Sequence, residues 1–168
     1  LSVALFATAD YIARRADMYN LNIDLDQGYQ KLIVCQSDMT EKHQAARDMV
    51  LRGLTRSHTQ QNSRRIMLWN LFVEMIAILD TLVATRTDYA LLRPALEKSD
   101  ALVFMRDALY KMSLDLEHIA LAVSREKPVF HRSSVKAELR ALEYEIELMQ
   151  KNDFATREPD VYRLCVEI

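Results

Sequence analysis

The sequence predicts an all-α protein, an antiparallel bundle of about five long helices. Only two glycines and three prolines occur in 168 residues, and tight turns and β-hairpins depend on these residue types. Half of the residues are hydrophobic, which excludes a disordered chain. Hydrophobic side chains recur every three or four residues along most of the sequence, as in amphipathic helices. We expect residues 1–168 to form one soluble helical domain, because this length suits a single core.

Two helices are predicted in the first third of the chain. The first covers about residues 2–19, and the sequence NLNIDLD then interrupts it. Asp24 or Asp26 can cap the second helix by accepting a hydrogen bond from a free backbone N–H group. This helix runs to about Arg52 and carries His43 on its apolar stripe. His43 is either a ligand or proton-sensing group or, in the interpretation we favour, a core-edge histidine with one hydrogen bond.

A third helix, over about residues 64–87, contains the run IMLWNLFVEMIAILDTLV. Because this run is apolar nearly all round, we expect the helix to be central and the most buried of the bundle. Its length would permit a membrane span, but acidic residues cost about 2.5–3.5 kcal/mol each near a bilayer centre. The presence of Glu74 and Asp80 therefore favours a core helix. We expect these carboxylates to pair with arginines of other helices, and the alternative is that they line a ligand pocket.

The second half of the chain predicts two further long helices. Pro94 either breaks the pattern or opens the fourth helix in its first turn. Apolar residues then follow three- and four-residue steps over 102–123, and they do so again over 135–149, after Ser133 or Ser134 as the cap. These stripes are typical of helices packed nearly parallel or antiparallel. The final VYRLCVEI is either a short helix or a strand.

No motif for catalysis, a cofactor or a metal emerges from the sequence. A di-iron bundle needs Glu-x-x-His on two helices, and none of the four histidines has a Glu three positions before it. Gly28 and Gly53 match no phosphate-binding loop. Cys35 and Cys165 match no metal or redox spacing, and we expect both to be reduced. The sequence thus predicts a protein that is not an enzyme and that holds no cofactor or metal.

A polar loop between the second and third helices collects positive charge. The net charge of the whole chain is only −2, which gives no general reason to bind nucleic acid or acidic lipid. Anionic lipid and RNA remain alternatives for the loop, but a solvated loop without a nucleic-acid partner is the favoured interpretation. The residues concerned are Arg52, Arg56, His58, Arg64 and Arg65.

The stretch FATADYIARRADMYNLNIDLDQGYQKLIVCQSDMTEKHQAARDMVLR resembles the soluble region of the fusaric acid resistance-like (FUSC) family, YccS/YhfK branch. In that family a helix of the type ADY…A…Y precedes an Asp-rich capped turn and a long helix with a Q…EKQ…R…L pattern. The later stretches WNLFVEMIAILDTLVATRTDYALLR and LDLEHIALAV are similar to the helices that follow the loop. The matching positions are Ala9, Asp10, Tyr11, Tyr19, Asp24, Asp26, Gln36, Glu41, Lys42, Gln44 and Arg47.

This resemblance implies a function. Members of the family are bacterial inner-membrane proteins assigned as efflux transporters, with two sets of membrane helices flanking a cytoplasmic helical domain. The chain, which starts with Leu rather than Met, would be that domain, on the cytoplasmic side of the inner membrane. It would act in assembly, gating or ligand sensing. The alternative is a free-standing module that dimerises through the stripes at 102–123 and 135–149.

The resemblance also implies partners. They are the flanking transmembrane helices, a second copy of the chain in a homo-oligomer, and a small aromatic acid held by a basic residue near Trp69 or Phe72. Taken alone, Arg14 and Arg15 are the solvated face of the first helix. In the light of the resemblance they become membrane-proximal basic residues, because positive charge accumulates on cytoplasmic flanks of membrane helices.

Overall fold

The computed structural model describes residues 1–55, 62–128 and 135–167, without the side chains of 53–55 and 62–65. These residues form eight helices and no strand, which confirms the all-α class. Two predicted features, the basic residues Arg56 and His58 and the cap at Ser133 or Ser134, lie outside the described residues. The helices are α1 (Ser2–Asp17), α2 (Leu25–Thr55), α3 (Asn62–Ala84), α4 (Tyr89–Ala95), α5 (Ala101–Arg125), α6 (Lys136–Lys151), α7 (Phe154–Arg157) and α8 (Pro159–Glu167).

The central pair of helices is α1 and α5, which pack on each other more extensively than any other two helices. Small side chains let the two backbones approach closely, since Ala9 and Ala16 of α1 are fully buried. Ser113 of α5 is also buried and donates a hydrogen bond of 2.8 Å to the backbone carbonyl of Ala9. The core is therefore organised around the first and fifth helices.

The prediction that α3 is the central, most buried helix is wrong. Among the described side chains of this helix, Phe72, Met75 and Leu82 are buried. The buried share of the apolar segment Ile66–Ala84 is only 17%. This segment is long and apolar enough to cross a membrane by length and composition. A helix that is apolar all round has no polar side to turn outward, so its composition alone does not reveal how much of it the bundle covers.

Side-chain caps and turn residues fix several helix ends. Asp24 precedes α2 and accepts a hydrogen bond from the N–H of Gln27 at 2.9 Å, so Asp24 is the cap rather than Asp26. Asp88 caps α4 through the N–H of Leu91 at 3.0 Å. Pro94 lies in the last turn of α4, which ends one residue later, and it therefore breaks the helix instead of opening the next one.

The hydrophobic clusters show how the helices run. One cluster joins Leu5 near the start of α1 with Ala46, Met75 and Ala120 of α2, α3 and α5. At the opposite end, a larger cluster joins the end of α1 with the start of α2, α4, the start of α5, α6 and α8. Hence α1 runs in one direction, and α2 and α5 run in the other. A third cluster joins Leu82, near the end of α3, with Ile12 of α1, so α3 runs in the same direction as α1.

The chain ends in helices. The segment VYRLCVEI belongs to α8, which settles the predicted choice between helix and strand. Val161 and Cys165 of this helix are buried in the larger cluster. Cys35 is half-buried on α2, and both cysteines are free.

Candidate functional site

His43 lies inside the molecule between α2 and α1. It is 2% exposed, and its Nε2 is 2.7 Å from the Oγ1 of Thr8. The Thr8 hydroxyl donates to the carbonyl of Ala4 at 2.9 Å, so the imidazole acts as the donor toward Thr8. Burial lowers the pKa of His43, which favours the neutral ring. This arrangement agrees with the favoured interpretation of a core histidine that makes one hydrogen bond.

Glu74 and Asp80 are both exposed on the outward side of α3. Within the described part of the chain, neither carboxylate forms an ion pair or a side-chain hydrogen bond. The predicted pairing with arginines of other helices is therefore wrong. Since α3 is peripheral, the rest of the bundle does not bury these side chains, and they need no partner within the chain to offset such burial.

Arg14 and Arg15 have different environments although they are adjacent. Arg14 is partly exposed and forms ion pairs with Asp10 at 3.3 Å and Asp17 at 2.9 Å. Arg15 is 6% exposed and donates to the carbonyl of Leu82 at 3.3 Å. The prediction of a solvated arginine pair thus needs correction for Arg15, because consecutive residues point about 100° apart on a helix.

Arg15 links α1 to the end of α3. Its second donor contact is to the hydroxyl of Thr87, also at 3.3 Å. Burial alone would lower the pKa of Arg15, but Tyr89, Tyr11 and Tyr19 raise it on balance, so the guanidinium stays charged. A cation near the last carbonyls of a helix also complements the helix dipole. The structure thus gives Arg15 a stabilising position inside the bundle.

An apolar cleft separates α3 from α5 and is the candidate functional site. It holds a cavity of about 500 Å³. One polar edge is formed by Glu126 and Lys127, just beyond the end of α5. The size and the mostly apolar lining are those of small-molecule sites. The walls are made by Met67, Leu68 and Leu71 of α3 and by Ile119, Ala122 and Val123 of α5.

The cleft continues along the same two helices. A second cavity of about 390 Å³ shares Ile119 with the first and reaches Ile12 of α1. Its lining includes the polar residues Asp115 and Thr81 among apolar ones. The sequence predictions missed this cleft, because they assigned α3 to the centre of the core.

The predicted aromatic contact lies on α3 beside the cleft. The rings of Trp69 and Phe72 are 5.8 Å apart between centroids, with Trp69 39% exposed and Phe72 buried. Lys127 supplies a basic side chain at the cleft, next to Met67 and Leu68. Neither Glu74 nor Asp80 lines the two cavities described here, and His43 does not line them either. The residues that line the cleft are therefore not the ligand residues predicted from the sequence.

Comparisons with known proteins give one result. A family model described as "FUSC-like inner membrane protein yccS" matches residues 1–168. No curated protein and no solved structure matches the chain significantly. In residues 1–55, 62–128 and 135–167, no three His, Cys, Asp or Glu side chains are grouped so that they could hold a metal ion. Because the family match extends over the full 168 residues, the chain belongs to the FUSC-like family of inner-membrane proteins.

Proposed function

We propose that this chain is the cytoplasmic domain of an inner-membrane efflux protein and that the cleft between α3 and α5 senses a small aromatic acid. Family membership supports membrane association and suggests a transport-related role. The cleft carries the finer part of the proposal, since it combines an apolar lining with a polar edge where Lys127 follows Glu126. An aromatic ring suits the apolar walls, and a carboxylate suits the lysine.

Ligand binding in the cleft could be transmitted to the rest of the domain. A bound acid would contact α3 and α5 together, and α5 is also the main partner of α1. Such a ligand shifts the helix packing only if it binds one arrangement more tightly than another. Assembly with the membrane helices or gating of transport would follow from that shift.

Ala122 offers a test of ligand sensing, because it is half-buried and lines the cleft. Titration calorimetry of the chain with benzoate and with fusaric acid should show saturable binding to the wild type. The variant Ala122→Trp should fill part of the cavity and abolish that binding. Ala45→Trp places the same side chain on an exposed position of α2 and should leave binding unchanged. Absence of binding to the wild type, or equal loss in both variants, would reject the sensing role.

The cytoplasmic location needs a separate test in the parent protein. In a background with Cys35→Ser and Cys165→Ser, the exposed Ser37 of α2 is replaced by cysteine. A membrane-impermeant maleimide should label this position in inverted membrane vesicles and not in intact spheroplasts. The reverse labelling pattern would place the domain on the other side of the membrane.

The alternative of a dimerisation module loses much of its support in the structure. Leu102 and Met105 of the first stripe, and Leu142 and Met149 of the second, are buried within the chain in the larger cluster. These side chains are therefore not free to meet a second copy. Homo-oligomer formation stays a prediction, and sedimentation velocity over a range of concentrations tests it.

A further inference from the structure

The fold brings two basic segments to the same end of the bundle. Residues 43–70 contain five arginines and one aspartate, and residues 118–136 contain two arginines, two lysines and one glutamate. The start of α3 and the end of α5 meet at this end, because Met67 and Leu68 line the same cavity as Lys127. Since the net charge of the chain is −2, acidic residues predominate in the rest of it.

The described surface of this basic end combines cations with large apolar side chains. We define the basic end as residues 47–52 of α2, 66–69 of α3 and 125–127 at the end of α5. Met67 is 60% exposed, Ile66 52%, and Trp69, the single tryptophan of the chain, 39%. The exposed cations in this region are Arg47, Arg52, Arg125 and Lys127.

The opposite end of the bundle has a different character. It contains the start of α2, α4 and the start of α5, which meet in the larger hydrophobic cluster. This end carries charges of both signs, whereas cations outnumber carboxylates at the basic end. The exposed charged residues at the opposite end include the acidic Asp24, Asp26, Asp88, Glu97 and Asp100 and the basic Lys31, Arg86 and Lys98.

We propose that the basic end rests on the surface of an anionic phospholipid bilayer. Lysine and arginine side chains are attracted to acidic headgroups, and exposed tryptophan and aliphatic side chains favour the boundary between headgroups and acyl chains. A nucleic acid would use the cations but gives no role to exposed Ile66 and Met67. The opposite end, where charges of both signs are mixed, then points away from the bilayer. This inference takes from the proposed function only that a membrane lies next to the domain.

Trp69 allows the unmodified chain to report on the contact. Vesicles of phosphatidylcholine with about 30 mol% phosphatidylglycerol, in about 0.1 M NaCl, should shift the Trp69 emission to shorter wavelength and sediment the protein. Vesicles of phosphatidylcholine alone should do neither. Equal binding to both vesicle types, or binding to neither, would overturn the proposal. Binding to a single-stranded RNA oligonucleotide without binding to the anionic vesicles would overturn it as well.

A matched pair of variants locates the surface. The triple variant Arg47→Gln, Arg52→Gln, Arg125→Gln should weaken binding to the anionic vesicles at least about tenfold. Lys127 is kept, so that the cleft of the proposed function is unchanged. The control Lys31→Gln, Lys98→Gln, Arg140→Gln removes the same charge from exposed positions elsewhere and should bind within about twofold of the wild type. Equal weakening in the two variants would reject this location.

The two proposals can fail independently. The vesicle experiment needs neither an aromatic acid nor transport, and the calorimetric experiment needs no membrane. All six substituted residues are exposed. The Nε of Arg52 also donates a hydrogen bond to the carbonyl of Asp48 at 3.1 Å. Urea unfolding of both triple variants verifies that they remain folded before the vesicles are added.

Discussion

Arg93 shows what a single buried side chain does at the end of the bundle opposite the basic end. It is 7% exposed, and its Nη2 donates to the carbonyls of Leu21 and Ile23 at 2.8 Å each. The guanidinium therefore holds the connection between α1 and α2. We expect Arg93→Met to lower the free energy of unfolding by about 1–2 kcal/mol, because these carbonyls lose a charged donor. Urea denaturation followed by circular dichroism measures this change.

The control for Arg93 is the exposed Arg140 on α6. Arg140→Met should change the free energy of unfolding by less than about 0.5 kcal/mol, as surface substitutions usually do. A similar loss in both variants would contradict the role given to the hydrogen bonds of Arg93. The sequence shows neither this role nor the burial of Arg15, because both arginines look like ordinary polar residues of amphipathic helices.

His43 makes stability depend on pH in a defined direction. Burial lowers its pKa in the folded protein below the usual value of about 6.5, which the unfolded chain keeps. The unfolded chain therefore takes up a proton first as the pH falls. The free energy of unfolding should decrease below about pH 6.5, by at most about 1.4 kcal/mol per pH unit, until the pKa of the folded state is reached. Urea denaturation at about pH 7.5 and 5.5 measures the decrease.

Two variants isolate this effect. His43→Gln can keep a hydrogen bond to Thr8 but does not titrate, so it should show a smaller loss of stability between the two pH values. His118→Gln removes an exposed histidine of α5 and should keep most of the wild-type dependence. If His43→Gln retains the full dependence, the buried imidazole is not its source.

At the scale of elements, only one side of α3 packs against the rest of the bundle. Met75 is 1% exposed and lies in the cluster with Leu5 and Ala120, whereas Val73 is 46% exposed. We expect Met75→Ala to lower the free energy of unfolding by about 2–4 kcal/mol. Val73→Ala should change it by less than about 0.5 kcal/mol. A large loss for Val73→Ala in dilute solution would mean that a second copy of the chain covers this side.

The same helix shows what the spacing of apolar residues can and cannot predict about a helix. The lengths of α1, α2, α5 and α6 follow from their apolar stripes and caps, because polar residues mark the opposite side of each helix. In the segment Ile66–Ala84 of α3 the polar residues are Asn70, Glu74, Asp80 and Thr81, and all four side chains are exposed. The positions of these polar residues could have indicated which side of α3 faces outward. The high overall hydrophobicity of the helix led to the prediction of a central helix instead.

At the scale of the whole molecule, the cleft and the basic end depend on contacts between segments that are distant in the sequence. The basic residues that follow α2 are visible in the sequence, but the proximity of Met67 and Leu68 in α3 to Lys127 depends on α3 and α5 running in opposite directions. The cleft has the same origin, since its two walls are separated by about fifty positions in the chain. Local patterns therefore predicted the helices, and the fold supplied both the cleft and the basic end.

The central position of α1 and α5 leads to a prediction about cooperative opening. Backbone amides in these two helices should exchange with deuterium only through global unfolding, because α1 and α5 share the most extensive packing. Amides of α3 should exchange faster through local opening, since most of that helix is exposed. Hydrogen exchange with peptide-resolved mass spectrometry distinguishes the two classes. Equal protection of α3 and α1 would contradict this order and would mean that α3 belongs to the cooperative core.

If α3 does open locally, the cleft wall formed by Met67, Leu68 and Leu71 can move while the α1–α5 pair stays intact. A cleft ligand should then slow exchange in α3 more than in α1.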